Sequence, residues 1–152
     1  MPFVSENLIE TTWKTISAYK GSEIQKLQKR HRKSQKALIT TAYSFLDDVS
    51  EDASGVFLFV FHVVVEAFEK TVPRPRKITK PQIENVLSEI ELREIKSTID
   101  AVEVSSEPHA LRYVREALFE VDDVFLSKSE IATIFALHSV FVECLHRACL
   151  KS

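Results

Sequence analysis

The amino-acid sequence predicts an all-α fold, a single-domain bundle of about six helices, and three observations carry that reading. The chain of 152 residues has only two glycines, Gly21 and Gly55, which leaves little for tight turns and nothing for a glycine-rich phosphate loop. Its apolar residues recur mostly at helical spacing. Its most apolar stretch, Val56 to Val65, reads as a central buried helix. Aromatic and β-branched residues there would also suit a buried strand, but no other segment offers a comparable partner run bounded by glycine or asparagine.

The first helix begins near Ser5, where Val4 and Ile9 are spaced as a hydrophobic staple. It presents Ile9, Thr12, Trp13, Ile16 and Tyr19 on one side and ends at Gly21. The second runs over about 22–50, with Leu38, Ala42, Phe45, Leu46 and Val49 confined to its second half and an almost wholly polar first half. The third, about 53–72, contains the apolar run and stops before Pro73.

Residues 73–79 form the connector, where Pro73 and Pro75 hold their neighbours extended. Thr79 caps the fourth helix, whose apolar face is Ile83, Val86, Leu87, Ile90, Ile95, Ile99 and Val102. Ser105 or Ser106 before Pro108 marks the start of the fifth. There Leu111, Val114, Leu118, Val121 and Phe125 alternate spacings of three and four, the pattern of a helix lying along a bundle seam. Ser127 and Glu130 form a capping box for the sixth, which runs to the C-terminus and shares the centre of the bundle with the third.

The connector divides the chain into two three-helix halves, 5–72 and 80–151. They share a few residues in corresponding order. Glu6 and Asn7 match Glu84 and Asn85; Asp47, Asp48 and Val49 match Asp122, Asp123 and Val124; Val65 and Glu66 match Val142 and Glu143. Duplication of one unit accounts for this, and so does the shared periodicity of amphipathic helices.

A chain of this length buries roughly 70% of the surface its unfolded form exposes, so it folds without a disulfide or a metal. Cys144 and Cys149 point about 140° apart on one helix, cannot bridge, and fit reduced core residues of a cytoplasmic protein. The N-terminus lacks the pattern of a secretory signal, and the run at 56–65 is short of the ~20 residues that span a bilayer.

No nucleophile elbow or exposed electropositive cysteine is present, so the expectation is a protein that is not an enzyme. The sharpest alternative is a divalent metal or small ligand held between the third and sixth helices by His62, Glu66, Glu143 and His146. Glu143 and His146 form the Glu-x-x-His unit of carboxylate-bridged metal bundles. Such bundles need the unit twice, and the third helix offers Glu66 and Glu69 instead. Glu66 with Lys70, and Glu143 with Arg147, also have the acid-before-base spacing of surface ion pairs. Without the metal alternative, no cofactor is expected.

Charge carries the strongest functional signal. The net charge of −2 conceals a segregation: Lys26, Lys29, Arg30, Arg32, Lys33 and Lys36 fall in a stretch with no acid, and so do Arg74, Arg76, Lys77 and Lys80. If the second and third helices form an antiparallel hairpin, these segments converge at one end of the bundle, opposite Asp47, Asp48, Glu51 and Asp52. A solvated helix face is the plain reading of such a run. The functional one is a non-enzymatic interaction or regulatory module whose basic end engages an acidic protein surface. Nucleic acid is disfavoured, because His31 is the only ring in the basic helical run and offers no stacking platform. A membrane surface is disfavoured because that run lacks an apolar face. The phenylalanine-rich third helix leaves room for a homo-oligomer.

Overall fold

The computed structural model describes residues 1–91, 98–119 and 126–151. It is all-α, with no strand among the described residues: α1 (Glu6–Ser17), α2 (Gly21–Ser34), α3 (Lys36–Ser44), a 3-10 turn (Leu46–Asp48), α4 (Glu51–Glu69), α5 (Lys80–Glu91), α6 (Thr98–Val104), α7 (Pro108–Phe119) and α8 (Lys128–Leu150). The apolar run is helix, as the missing turn residues implied. It forms the body of α4, in which every residue from Val60 to Phe68 is buried.

Two of the expected boundaries differ. Gly21 opens α2 rather than ending α1. Helix α1 stops at Ser17, where the N–H groups of Ala18 and Tyr19 close on the carbonyls of Thr15 and Ile16. No glycine takes the left-handed conformation on which the terminating reading relied. Glu23 then accepts the Lys20 N–H at 3.2 Å and starts the next helix. The single helix expected over 22–50 is divided at Gln35, which leaves helical geometry at φ −138°, ψ 58°. The fourth expected helix is described as α5 and α6. Ile95, Val121 and Phe125, assigned to apolar faces, lie outside the described residues.

Elsewhere the caps fall where the side chains can form them. Ser5 accepts the Leu8 N–H at 3.0 Å, and Thr79 and Gln82 bond reciprocally at the start of α5. Pro108 takes the first position of α7, where its missing N–H costs nothing. The Ser127–Glu130 capping box is formed. Glu130 also accepts the backbone and hydroxyl of Ser50, itself the cap of α4, at 2.9 and 2.7 Å. These hydrogen bonds, the Ser50 N–H foremost, hold the Glu130 carboxyl down to about 2.

Helix α4 packs against α1, α2, α7 and α8, and α8 packs against α4, α5 and α7, so these two helices are the core. Phe57, Phe61 and Phe141 each meet His138 edge-on. Helix α8 is long and apolar enough to cross a bilayer, but 61% of its most apolar window is buried inside the bundle, as suits a core helix. Both cysteines are buried and free, and burial pushes the Cys144 thiol up to about 12.

Candidate functional site

Helix α2 buries only Leu27 and His31, too little apolar surface to set its position by packing alone. Polar contacts hold it instead. His31, fully buried, has its Nε2 3.1 Å from Glu66 Oε1 and its Nδ1 2.8 Å from His62 Nδ1. A carboxylate only accepts, so His31 Nε2–H donates to Glu66. His31 Nδ1 and His62 Nδ1 share one hydrogen, and His62 Nε2 has no partner among the described residues. Arg30 completes the network by pairing with the other oxygen of Glu66.

Burial, followed by the neighbouring His31 and Arg32, pushes the His62 imidazole down to about 3. Burial also opposes ionisation of Glu66, but hydrogen bonds from His31 and Arg30 outweigh it and hold the carboxyl at about 2. The network is therefore a neutral His62, a bridging His31 and a charged Glu66 clamped to Arg30. His31, His62 and Glu66 are buried, and only Arg30 reaches solvent. The network docks α2 on α4 in one register.

Gln35 extends the clamp. Its buried side-chain amide donates to the Arg76 carbonyl at 2.9 Å and accepts from the Ile78 N–H at 3.0 Å. The departure from helical geometry at this residue thus ties the end of α2 to the connector. The Arg76 N–H in turn bonds the Ala148 carbonyl of α8 at 3.2 Å.

These contacts bring the two basic segments together. Lys26, Lys29, Arg32, Lys33 and Lys36 are exposed along α2 and the first turn of α3, and Arg74, Arg76, Lys77 and Lys80 along the connector and the first turn of α5. Two of the predicted site cations have structural partners: Arg30 holds Glu66, and Arg74 bonds Glu69 at 2.6 Å. Beside the connector lies a cleft of about 320 Å³ with Arg76, Lys77, Arg147 and Lys151 on its walls, together with Gln82 and Asn85. Arg147 is itself held by Glu89 and Glu143. No carboxylate lines this cleft among the described residues.

The four residues considered for a metal or ligand divide between different partners. His62 and Glu66 belong to the α2 network. Glu143 forms the expected pair with Arg147, at 3.1 Å. His146 Nδ1 donates to Glu107 Oε2 at 2.6 Å. No group of three or more His, Cys, Asp or Glu side chains suited to a metal ion occurs among the described residues. Glu66 pairs with Arg30 rather than with Lys70, four residues on.

Three buried positions escaped sequence reasoning. His31 and Gln35 sit in a run that looks solvated, yet Leu27, His31 and Gln35 recur every fourth residue, a stripe that marks an inward face. Glu107, fully buried before Pro108, accepts the N–H groups of Phe3 and Val4 at 2.8 and 2.9 Å and so ties the N-terminal segment to α7 and α8. Nothing in its local sequence marks that role.

Comparison with protein-family models, with curated proteins and with solved structures gives no significant match for this chain. The functional reading therefore rests on its own residues.

Proposed function

We propose that this chain is a non-enzymatic helical interaction module of the cytoplasm that engages an acidic protein surface through its basic end. The observation that carries the reading is the Gln35 clamp, which fastens the end of α2 to residues 76 and 78 and so sets two acid-free basic segments side by side. Coulomb attraction between exposed charges is weak pair by pair and screened within about 8 Å at physiological salt. A cluster held on a folded scaffold adds its contributions without having to order flexible chains first. The carboxylate-free cleft beside Arg76, Lys77 and Lys151 gives that surface a concave centre that suits a partner carboxylate.

The test uses a fluorescein-labelled polyglutamate peptide, with anisotropy read against protein concentration. Lys29→Glu, Lys33→Glu and Lys77→Glu in one chain leave the structural Arg30 in place. The expected result is at least about a tenfold loss of affinity in this variant, with wild-type binding that weakens steeply as salt rises. Equal affinity of variant and wild type contradicts the proposal. So does tighter binding to a duplex DNA of the same charge than to the peptide.

The same reading treats 5–72 and 80–151 as descendants of one unit joined at 73–79. Support comes from order: each half closes on a long buried helix capped by a serine, Ser50 before α4 and Ser127 before α8.

A further inference from the structure

A second surface lies away from the basic end and has the opposite chemistry. Helices α1, α4 and α7 bound an open groove of about 770 Å³. Each contributes residues three and four apart, so one face of each helix is turned towards it. Ile9, Trp13, Val56, Phe59 and Val60 form its apolar lining. Trp13 remains 39% exposed, unusual for the only tryptophan of the chain.

Five carboxylates line the same groove: Glu6, Glu10, Glu51, Asp52 and Glu116. All five residues are exposed. Glu10 is paired with Lys14 at 3.0 Å, and the other four have no salt-bridge partner among the described residues. Arg112 and His109 are the only basic residues on the described lining. The Tyr113 hydroxyl and His109 Nδ1, from two residues of the α7 wall, are also without hydrogen-bond partners among the described residues.

We infer that this groove docks a basic amphipathic helix of a partner protein, with apolar side chains on the Trp13–Phe59 lining and lysines or arginines against the acidic rim. Charge complementarity selects this occupant. The carboxylates come from three helices, Glu6 and Glu10 on α1, Glu51 and Asp52 at the start of α4 and Glu116 on α7, and the lining extends from residue 51 to 60 on α4 and from 109 to 117 on α7. At 1.5 Å per residue that is about 12 to 14 Å, a little over two helical turns. A small amine satisfies one or two of these charges, whereas a helix with an apolar stripe at i, i+3, i+4 and i+7 and cations on either side of it meets several at once. An acidic or uncharged helix would leave the rim carboxylates facing apolar or like-charged groups as it excluded water from them.

Trp13 makes the test direct, since emission excited in the tryptophan band reports on this groove alone. The probe is a short tryptophan-free peptide of leucine and lysine patterned as an amphipathic helix. The expected result is a saturable blue shift of Trp13 emission at one peptide per chain. Affinity falls at least about tenfold when Glu51 and Glu116 are both changed to lysine, and by a smaller factor in the isosteric Glu51→Gln, Glu116→Gln pair. Circular dichroism establishes that each variant is folded. The Lys29, Lys33 and Lys77 reversal keeps the blue shift, which separates this surface from the basic end. The inference is overturned if no saturable shift occurs, if a leucine–glutamate or scrambled peptide binds equally well, or if the folded charge variants retain wild-type affinity. It is equally overturned if dodecylammonium binds at the groove while the peptide does not.

Discussion

At the basic end, position is set by buried polar contacts: His31, Glu66 and Gln35 hold a helix that buries little else than Leu27. The groove of α1, α4 and α7 is built the other way, with Ile9, Ile16, Phe57, Val60 and Val114 buried in the core and charge left to the rim. The difference follows from composition. A helix with five cations in eight residues, 26 to 33, has no apolar face broad enough to locate itself, so directional hydrogen bonds must do so. Helix α1 has such a face in Ile9 and Ile16, and the buried Glu107–His146 pair fastens only the residues before it. One surface should therefore be sensitive to single polar deletions, and the other should not.

Acid gives the largest expected effect. His62 and His138 are held neutral when folded, at about 3 and about 4, mainly by burial, while in the unfolded chain each titrates near 6.5. Between those values the unfolded state binds more protons, so stability is intact above pH 6.5 and is lost as pH falls towards 4. Each histidine contributes a slope of up to roughly 1.4 kcal/mol per pH unit. Glu66, held at about 2, adds a loss of the same sign below its ordinary 4.5. Urea denaturation at pH 7, 6, 5 and 4 measures the trend; a flat profile from 7 to 5 would show that the histidines do not remain neutral in the fold.

Glu66→Ala comes next. It leaves His31 and the guanidinium of Arg30 without their carboxylate, at a cost of about 3 kcal/mol, reduced from the fully buried case because the Arg30 side chain is half exposed. The loss should appear in urea denaturation together with weaker polyglutamate binding. Trp13 emission should stay at its wild-type wavelength, and a shift there would mean that the two surfaces are coupled.

Gln35→Ala is the mildest of the three. It strands the Arg76 carbonyl and the Ile78 N–H, at about 2 kcal/mol. Hydrogen exchange at Ile78 should accelerate selectively. Unchanged protection there would show that the connector is fixed by something other than this amide.

Much of the fold was legible because it depends on local signals. Ser5, Thr79, Ser127 with Glu130, and Pro108 start helices through backbone groups that nearby side chains satisfy, and the apolar run of α4 has the burial that its composition implies. The division at Gln35 was not legible, because glutamine favours helix and its partners lie some forty residues away. Gly21 was misread for a related reason: glycine permits a left-handed cap without requiring one. At the basic end the cations could be read from the sequence, while the network that positions them could not, since His31, His62 and Glu66 meet only after α2 folds back on α4. Of the acidic groove only Glu51 and Asp52 could be read, as part of the acidic stretch opposite the basic end; Glu6, Glu10 and Glu116 reach it from two other helices.

The most direct test of the account is amide chemical-shift mapping of the ¹⁵N-labelled protein with the polyglutamate peptide. Perturbations are expected only at residues 26–36, 74–80 and Lys151, with the amides of Glu10, Trp13, Asp52 and Glu116 unmoved. Perturbations centred on those four residues, or spread evenly over the surface, would contradict it.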